Sequence, residues 1–223
     1  MSRAPIYPPT QPSIFGRVVS GAAVENACMA LIAKWISTYL AETERQEGID
    51  AGTTQRPRSL VIASSLDKMP EDQLPAIVLI SIGLAERPLK DGSGSYRGRW
   101  DMGVAAIASA RTQQESHQMA QRYIASLRNL VIQRPSLDGF ASGADWQGEQ
   151  YDQLDFDDMR SLDAGFGRFT IEVDNIANAN AGPVTPDEPL DPDILPWPDW
   201  ATVQTYDVHV DLVDVITKGG TTK

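Results

Sequence analysis

The chain has 223 residues, of which 42% are hydrophobic and 22% charged, the composition of a globular protein that buries a core. Its 30 acidic and 19 basic residues give a formal net charge of -11. Such a charge repels nucleic-acid phosphates and anionic membranes, so it disfavours a nucleic-acid-binding or membrane-surface protein. The single cysteine, Cys28, excludes an intramolecular disulfide and a cysteine-rich zinc site. A reduced, intracellular site of synthesis is expected.

The first fifteen residues are predicted to form an extended arm. Four prolines between positions 5 and 12 fix the backbone and remove hydrogen-bond donors, which excludes a helix or a central strand. The segment has no apolar core of the signal-peptide type, and no stretch of the chain reaches the roughly 18 apolar residues of a membrane span. Tyr7 and Phe15 lie in this arm, and we expect them to dock on a protein surface.

The first helix is predicted from about Gly21 to Glu47, with Gly48 as its C-terminal stop. Apolar residues recur at spacings of three and four, which indicates one buried stripe. Cys28 lies in that stripe, so we interpret it as a small core residue and not as a nucleophile. The stripe comprises Val24, Ala27, Cys28, Leu31, Ile32, Trp35, Ile36, Tyr39 and Leu40.

A hairpin is predicted between residues 76 and 110, preceded by a short strand at Leu60–Ala63. The uncharged, β-branched run Ala76–Gly83 indicates a central strand covered on both faces. Asp91–Ser95 is predicted to be a flexible, wide tip. From Tyr96 the chain alternates as a long strand. One face of that strand should carry Trp100, Met102, Val104, Ala106 and Ala108, and the other Asp101, Gly103, Ala105, Ile107 and Ser109.

The second helix has the clearest local signal. Thr112 and Glu115 match a capping box, and Pro135 marks the end of the helix. Between them, helical spacing relates Met119, Tyr123, Ile124, Leu127, Leu130 and Val131.

The C-terminal third is predicted to add strands and a long connection. Asp145–Leu154 indicates an edge strand and Gly165–Ile176 a half-buried one. Residues 177–200 form a Pro- and Asp-rich loop that ends in an apolar stretch containing Leu195, Trp197 and Trp200. A last strand covers residues 201–216 and a tail covers 217–223.

Together these elements predict a single α+β domain. Its core, residues 16–176, contains a mixed, mainly antiparallel sheet packed on one face by two amphipathic helices.

No catalytic motif is present, and we predict no enzymatic activity, cofactor or metal site. His117 and His209 lie on polar faces and are interpreted as exposed or partly buried polar residues without a catalytic role. Two acidic clusters lack the spacing of a calcium loop and are interpreted as solvated surface. They comprise Asp152, Asp155, Asp157 and Asp158 in one cluster, and Asp187, Glu188, Asp191 and Asp193 in the other.

Residues 21–176 resemble the tail terminator proteins of tailed bacteriophages, also called tail completion or minor tail proteins. The resemblance lies in the order of the elements and in the kind of residues each contains. The order is an amphipathic helix, a proline-led apolar strand, a hairpin with a glycine-rich tip, a Trp-bearing strand, and a helix that follows directly. The stretches that carry it are Leu74–Ser81, Tyr96–Val104, Ala110–Glu115, Tyr123–Arg128, Ala144–Glu149 and Phe169–Val173.

The resemblance implies a structural virion protein without enzymatic activity. Members form a hexameric ring that caps the head-proximal end of the tail tube, stops its polymerisation and meets the neck. The partners implied are further copies of the chain, the tail-tube protein and a neck or head-completion protein, and DNA passes through the lumen. Segment 177–200 and the strand after it are long for the family's minimal form.

Three features of the chain suit ring assembly, which needs heterologous contacts that close by rotation. They are the arm, the long loop and the hairpin tip. We predict that the tip, with Lys90, Asp91, Arg97 and Arg99, faces the tube. The arm and loop residues Tyr7, Phe15, Leu195, Trp197 and Trp200 are candidates for contacts between subunits. A negative lumen would also keep DNA from sticking.

Three other functions are compatible with the sequence. One is a different neck or head-completion protein of the same particle, because small sheet-and-helix architectures are shared among them. Another is a hydrolase that uses Asp155, Asp157 or Asp158, which requires these carboxylates to converge in a pocket. A cytosolic ligand-binding module is the third.

Overall fold

The computed structural model describes residues 19–62, 71–154 and 162–178, all of them within one compact unit. The predicted arm, the loop from residue 179 onward, the last strand and the tail lie outside the described residues. The helices are α1 (Gly21–Glu47) and α2 (Gln113–Gln133). The strands are β1 (Ser59–Ile62), β2 (Ala76–Leu84), β3 (Leu89–Lys90), β4 (Ser95–Ala108), β5 (Gly143–Leu154) and β6 (Leu162–Asn178).

The strands form one mixed sheet in the order β1-β2-β4-β6-β5. β1 runs parallel to β2, and the β2–β4, β4–β6 and β6–β5 pairs are antiparallel. The two-residue strand β3 continues on the same side of β4 as β2 and pairs with Tyr96 and Arg97. The predicted α+β class with a mixed, mainly antiparallel sheet is confirmed, and β5 is the edge strand that the sequence predicted.

Both helices begin and end at the signals in the sequence. Ser20 caps α1 by accepting from the Ala23 amide, and Gly48 ends it with a φ of 70°, a backbone conformation that glycine adopts without strain. The Thr112–Glu115 capping box of α2 is present in both directions. The helices pack on each other, with Thr43 and Ser126 sharing a buried hydrogen bond of 2.8 Å.

The core has one layer on each face of the sheet. On the helix face, the even-numbered residues of β4 from Trp100 to Ala108 pack with α1, α2 and β6. The predicted alternation of β4 is therefore confirmed. On the opposite face a smaller buried cluster comprises Leu74, Ala76, Val78, Ala105, Ile107, Leu162 and Ala164.

Helix α2 lies close to β6 at Gly165. A Cβ atom placed there would lie 2.5 Å from the Ile124 Cγ1 atom and 3.2 Å from the Ala120 carbonyl oxygen. Both distances are shorter than atoms in contact normally allow, and the second involves backbone that cannot rotate away. Glycine at this position therefore sets the distance between helix and sheet.

Only the first half of β2 is covered on both faces, contrary to the prediction for Ala76–Gly83. Ala76 to Leu79 are fully buried, whereas the side chains of Ile82 and Leu84 are 54% and 50% exposed. The register explains the difference. The buried half pairs with the apolar end of β4, while Gly83 and Leu84 pair with Asp101 and Trp100, near the charged end of that strand.

Candidate functional site

The tip of the β3–β4 hairpin is a compact turn, where the sequence predicted a wide, flexible loop. The Asp91 carboxylate accepts hydrogen bonds from the Ser93 amide (2.9 Å), the Ser93 hydroxyl (2.7 Å) and the Ser95 amide (3.0 Å). These bonds, that of the Ser93 hydroxyl above all, hold the pKa of Asp91 below its ordinary value. Asp91 therefore shapes the turn from within.

Arg97 ties the hairpin to the end of β6. Its Nε atom donates to the Asp174 carboxylate at 2.6 Å, and a terminal nitrogen lies 3.9 Å from Glu172. The hydrogen bond and charge of Asp174 raise the pKa of Arg97. These partners belong to the same chain, so Arg97 has a structural role in addition to the tube-facing role that the sequence predicted.

Arg99 lines a cleft of about 470 Å³ on the sheet face opposite the helices. One terminal nitrogen donates to the Thr170 hydroxyl at 3.1 Å, another lies 3.9 Å from Glu86, and the buried Nε atom has no hydrogen-bond partner among the described residues. Arg168 and Asp101 form a second pair at 2.7 Å in the same cleft. The two guanidinium and two carboxylate groups give the cleft no formal net charge. The cleft therefore lacks the excess positive charge that favours binding of an anion.

Lys90 is exposed at the end of the hairpin, and unlike those of Asp91, Arg97 and Arg99 its side chain forms no hydrogen bond or ion pair with the described residues. Beside it the structure places three large apolar side chains that the sequence reasoning missed. Ile82, Leu84 and Leu89 are each at least half exposed. A signal for them existed: the partner strand carries Arg97, Arg99 and Asp101 where a core strand would carry apolar residues.

The other predicted interface residues, Tyr7, Phe15, Leu195, Trp197 and Trp200, lie outside the described residues. So do His209 and all the acidic-cluster residues except Asp152, which is exposed on β5. Within the three described ranges, no group of three or more His, Cys, Asp or Glu side chains is arranged to hold a metal ion.

His117 is partly exposed, as expected of a polar helix face. The structure adds a partner 46 residues away: its Nδ1 atom lies 3.3 Å from an oxygen of the buried Asp163 carboxylate. Gln121 contacts the other ring nitrogen at 3.1 Å, and the Tyr151 ring meets the imidazole edge-on. This pair links the first half of α2 to the start of β6.

The second buried carboxylate, Glu44, has a structural task. It accepts from the amides of Gly52 (2.9 Å) and Thr54 (2.6 Å) and from the Arg56 guanidinium (3.1 Å). Burial alone would raise the pKa of Glu44, but these hydrogen bonds and the Arg56 charge outweigh burial and lower it. Glu44 therefore closes the loop that leads from α1 to β1.

No protein-family model matches the chain, and a search of curated proteins finds no match either. None of the helices in the described part has the length and apolar character needed to cross a membrane.

Proposed function

We propose that the chain is a structural virion protein, a tail terminator that forms a hexameric ring on the head-proximal end of a phage tail tube. The observation that carries the proposal is the long β2–β4 hairpin. Its inner half is built into the core, and its outer end carries the exposed side chains of Leu89 and Lys90 beside the turn. A rigid element with an apolar, basic end is suited to contact another protein.

The hairpin is anchored well enough to transmit such a contact. Tyr96 at its tip pairs with Lys90 of β3 on one side and with Ala177 of β6 on the other, so three strands meet there. The Asp91 turn and the Arg97–Asp174 pair add hydrogen bonds that hold the tip. Because little order has to be created on binding, the entropic cost of association is reduced.

The charge of the chain suits the lumen of a tail. A net charge of -11 repels the phosphates of passing DNA, which then slides without binding. The ring would join the tube on one side and a neck protein on the other, so its site of action is the virion.

The proposal is tested in the particle by deleting residues 91–95. Without the turn the β2 and β4 backbones still pair, so the protein should fold, but it should no longer cap the tube. Tails measured by electron microscopy should then be longer than normal and variable. Normal tail length with the deletion refutes the assignment.

Binding to isolated components separates the tail terminator from a neck protein. Purified protein should bind the ends of assembled tail tubes, and images viewed along the tube should show six-fold symmetry. Binding to portal-side complexes with no binding to tube ends would instead identify a head-completion protein.

A further inference from the structure

The sheet has two open edges of opposite character. β1 pairs with β2 only over Ala76 to Leu79, so no described strand covers the outer edge of β2 from Ile80 onward. The other edge is β5, whose outer side no described strand covers along Gly143–Leu154. Along both edges lie backbone amides and carbonyls that no described strand pairs with, and such groups can pair with another strand.

The β2 edge is apolar and basic. Ile82, Leu84 and Leu89 are the exposed large hydrophobic residues along it, and two basic residues, Arg87 and Lys90, accompany them. The one acidic residue between positions 80 and 90 is Glu86, which lies 3.9 Å from Arg99 within the chain. Residues 80–90 thus carry a formal charge of +1 in a chain whose net charge is -11.

The β5 edge is acidic. It contains Asp145, Glu149 and Asp152 and no basic residue, a formal charge of -3 over twelve residues. Asp145 and Asp152 are exposed, whereas Glu149 is paired with Arg128 at 2.7 Å. Exposed polar residues, Gln147 and Gln150 among them, separate the two aspartates.

We propose that the β2 edge of one copy of this chain docks on the β5 edge of a second copy. The two edges have opposite formal charge, and each presents backbone that no described strand pairs with, so the charges attract and the strands can pair. They lie at opposite sides of one sheet, so the contact is head-to-tail, and repetition builds a ring or an open chain of subunits. The inference deepens the proposed function by assigning the subunit contact of that assembly.

Protection against unwanted strand pairing explains the β2 edge less well than docking of a second copy does. Chains that keep an edge unpaired place charges, prolines or bulges along it. The bulge at Ser81–Gly83, Pro88 and Lys90 fit that purpose. Three large hydrophobic side chains do not, because each leaves apolar surface in water that association would bury. Pro88 confines backbone pairing to Ile80–Leu84, so the subunit contact leaves Leu89 and Lys90 at the tip for the proposed contact with the tube.

Thiol crosslinking of the purified full-length chain tests the contact. In a Cys28→Ala background, Leu84→Cys is combined with Gln150→Cys and treated with a short bismaleimide. We expect a ladder of covalent multimers. The matched control pairs Ile132→Cys with Gln150→Cys, because Ile132 is 56% exposed but lies on α2. Absence of the Leu84–Gln150 ladder, or an equal ladder from the control, overturns the proposal.

Charge insertion gives an independent measurement by native mass spectrometry. The double variant Ile82→Asp/Leu84→Asp, which leaves Leu89 and Lys90 at the tip intact, should lower the multimer fraction at least tenfold, whereas Ile132→Asp should leave it unchanged. An equal loss in both variants overturns the proposal. Multimers that depend on these edges but do not bind tube ends would support the contact and refute the tail terminator. Rings that still form with the double variant and still cap tubes would support the tail terminator and refute the contact between the edges.

Discussion

Arg97 on β4 donates a 2.6 Å hydrogen bond to Asp174 on β6, a residue 77 positions later in the chain. This pair, together with the Asp91 turn, divides the polar residues of the hairpin into two kinds. Asp91 and Arg97 hold the tip in place, and Lys90 is offered to the outside. Substitutions of the first kind of residue should therefore change the stability of the tip, and substitutions of the second kind should change binding.

Arg97→Ala and Lys90→Ala should therefore act differently. The first removes the link between β4 and β6, so amide hydrogen exchange should quicken at residues 95–97 and 174–178. The second removes an exposed charge, so exchange should stay at the wild-type rate while binding to tube ends weakens. Hydrogen exchange and a tube-binding assay on the same two proteins check this. Equal exchange rates in both variants would contradict the structural role of Arg97.

Glu44→Gln should destabilise the protein by about 2 kcal/mol at neutral pH, because it removes the negative charge that Arg56 and the two loop amides bond to. The folded-state pKa of Glu44 is lowered from its ordinary value near 4.5. A lowered carboxyl pKa contributes stability that is present above the ordinary value and is lost as pH falls through the folded-state value. The difference between variant and wild type should therefore shrink below about pH 4.5.

Urea denaturation across pH measures this difference. Glu25→Gln, on the same helix but partly exposed, is the control and should unfold like the wild type. A constant difference between the Glu44 variant and wild type from pH 7 to pH 3 would contradict the assigned network.

Gly165→Ala should cost about 1–3 kcal/mol, because the added methyl group meets Ile124 and the Ala120 carbonyl where α2 lies close to β6. Gly143→Ala is a matched control on β5, where a Cβ meets no atom within 4 Å. Thermal unfolding of the two variants compares them. If both are equally stable, the close approach of α2 to β6 is not a constraint.

The sequence was a good guide wherever a local signal decides the structure. The Thr112–Glu115 capping box, Gly48 after α1 and the alternation of β4 act within a few residues, and each predicted its element correctly. The parallel pairing of β1 with β2 was not predicted, because it depends on a connection whose path no local pattern encodes.

The candidate site was less predictable because it depends on register. Whether Ile82 and Leu84 are core or surface is decided by the β4 residues opposite them, and a run of apolar residues cannot reveal that. The partners of Arg97 and His117 lie 77 and 46 residues away, so only the folded sheet brings them together.

Cys28 should not react with thiol reagents in the native protein. Burial, foremost, raises the pKa of its thiol from 9.0 to about 12, so almost no thiolate exists near neutral pH. A raised pKa keeps the folded protein protonated where the unfolded chain ionises, so this thiol's contribution to stability is lost as pH rises from about 9 to 12. A thiol reagent such as dithionitrobenzoate should label no cysteine at pH 8 and one equivalent after unfolding in urea. Rapid labelling of the native protein would show that the α1 stripe opens, and would remove Cys28 from the core.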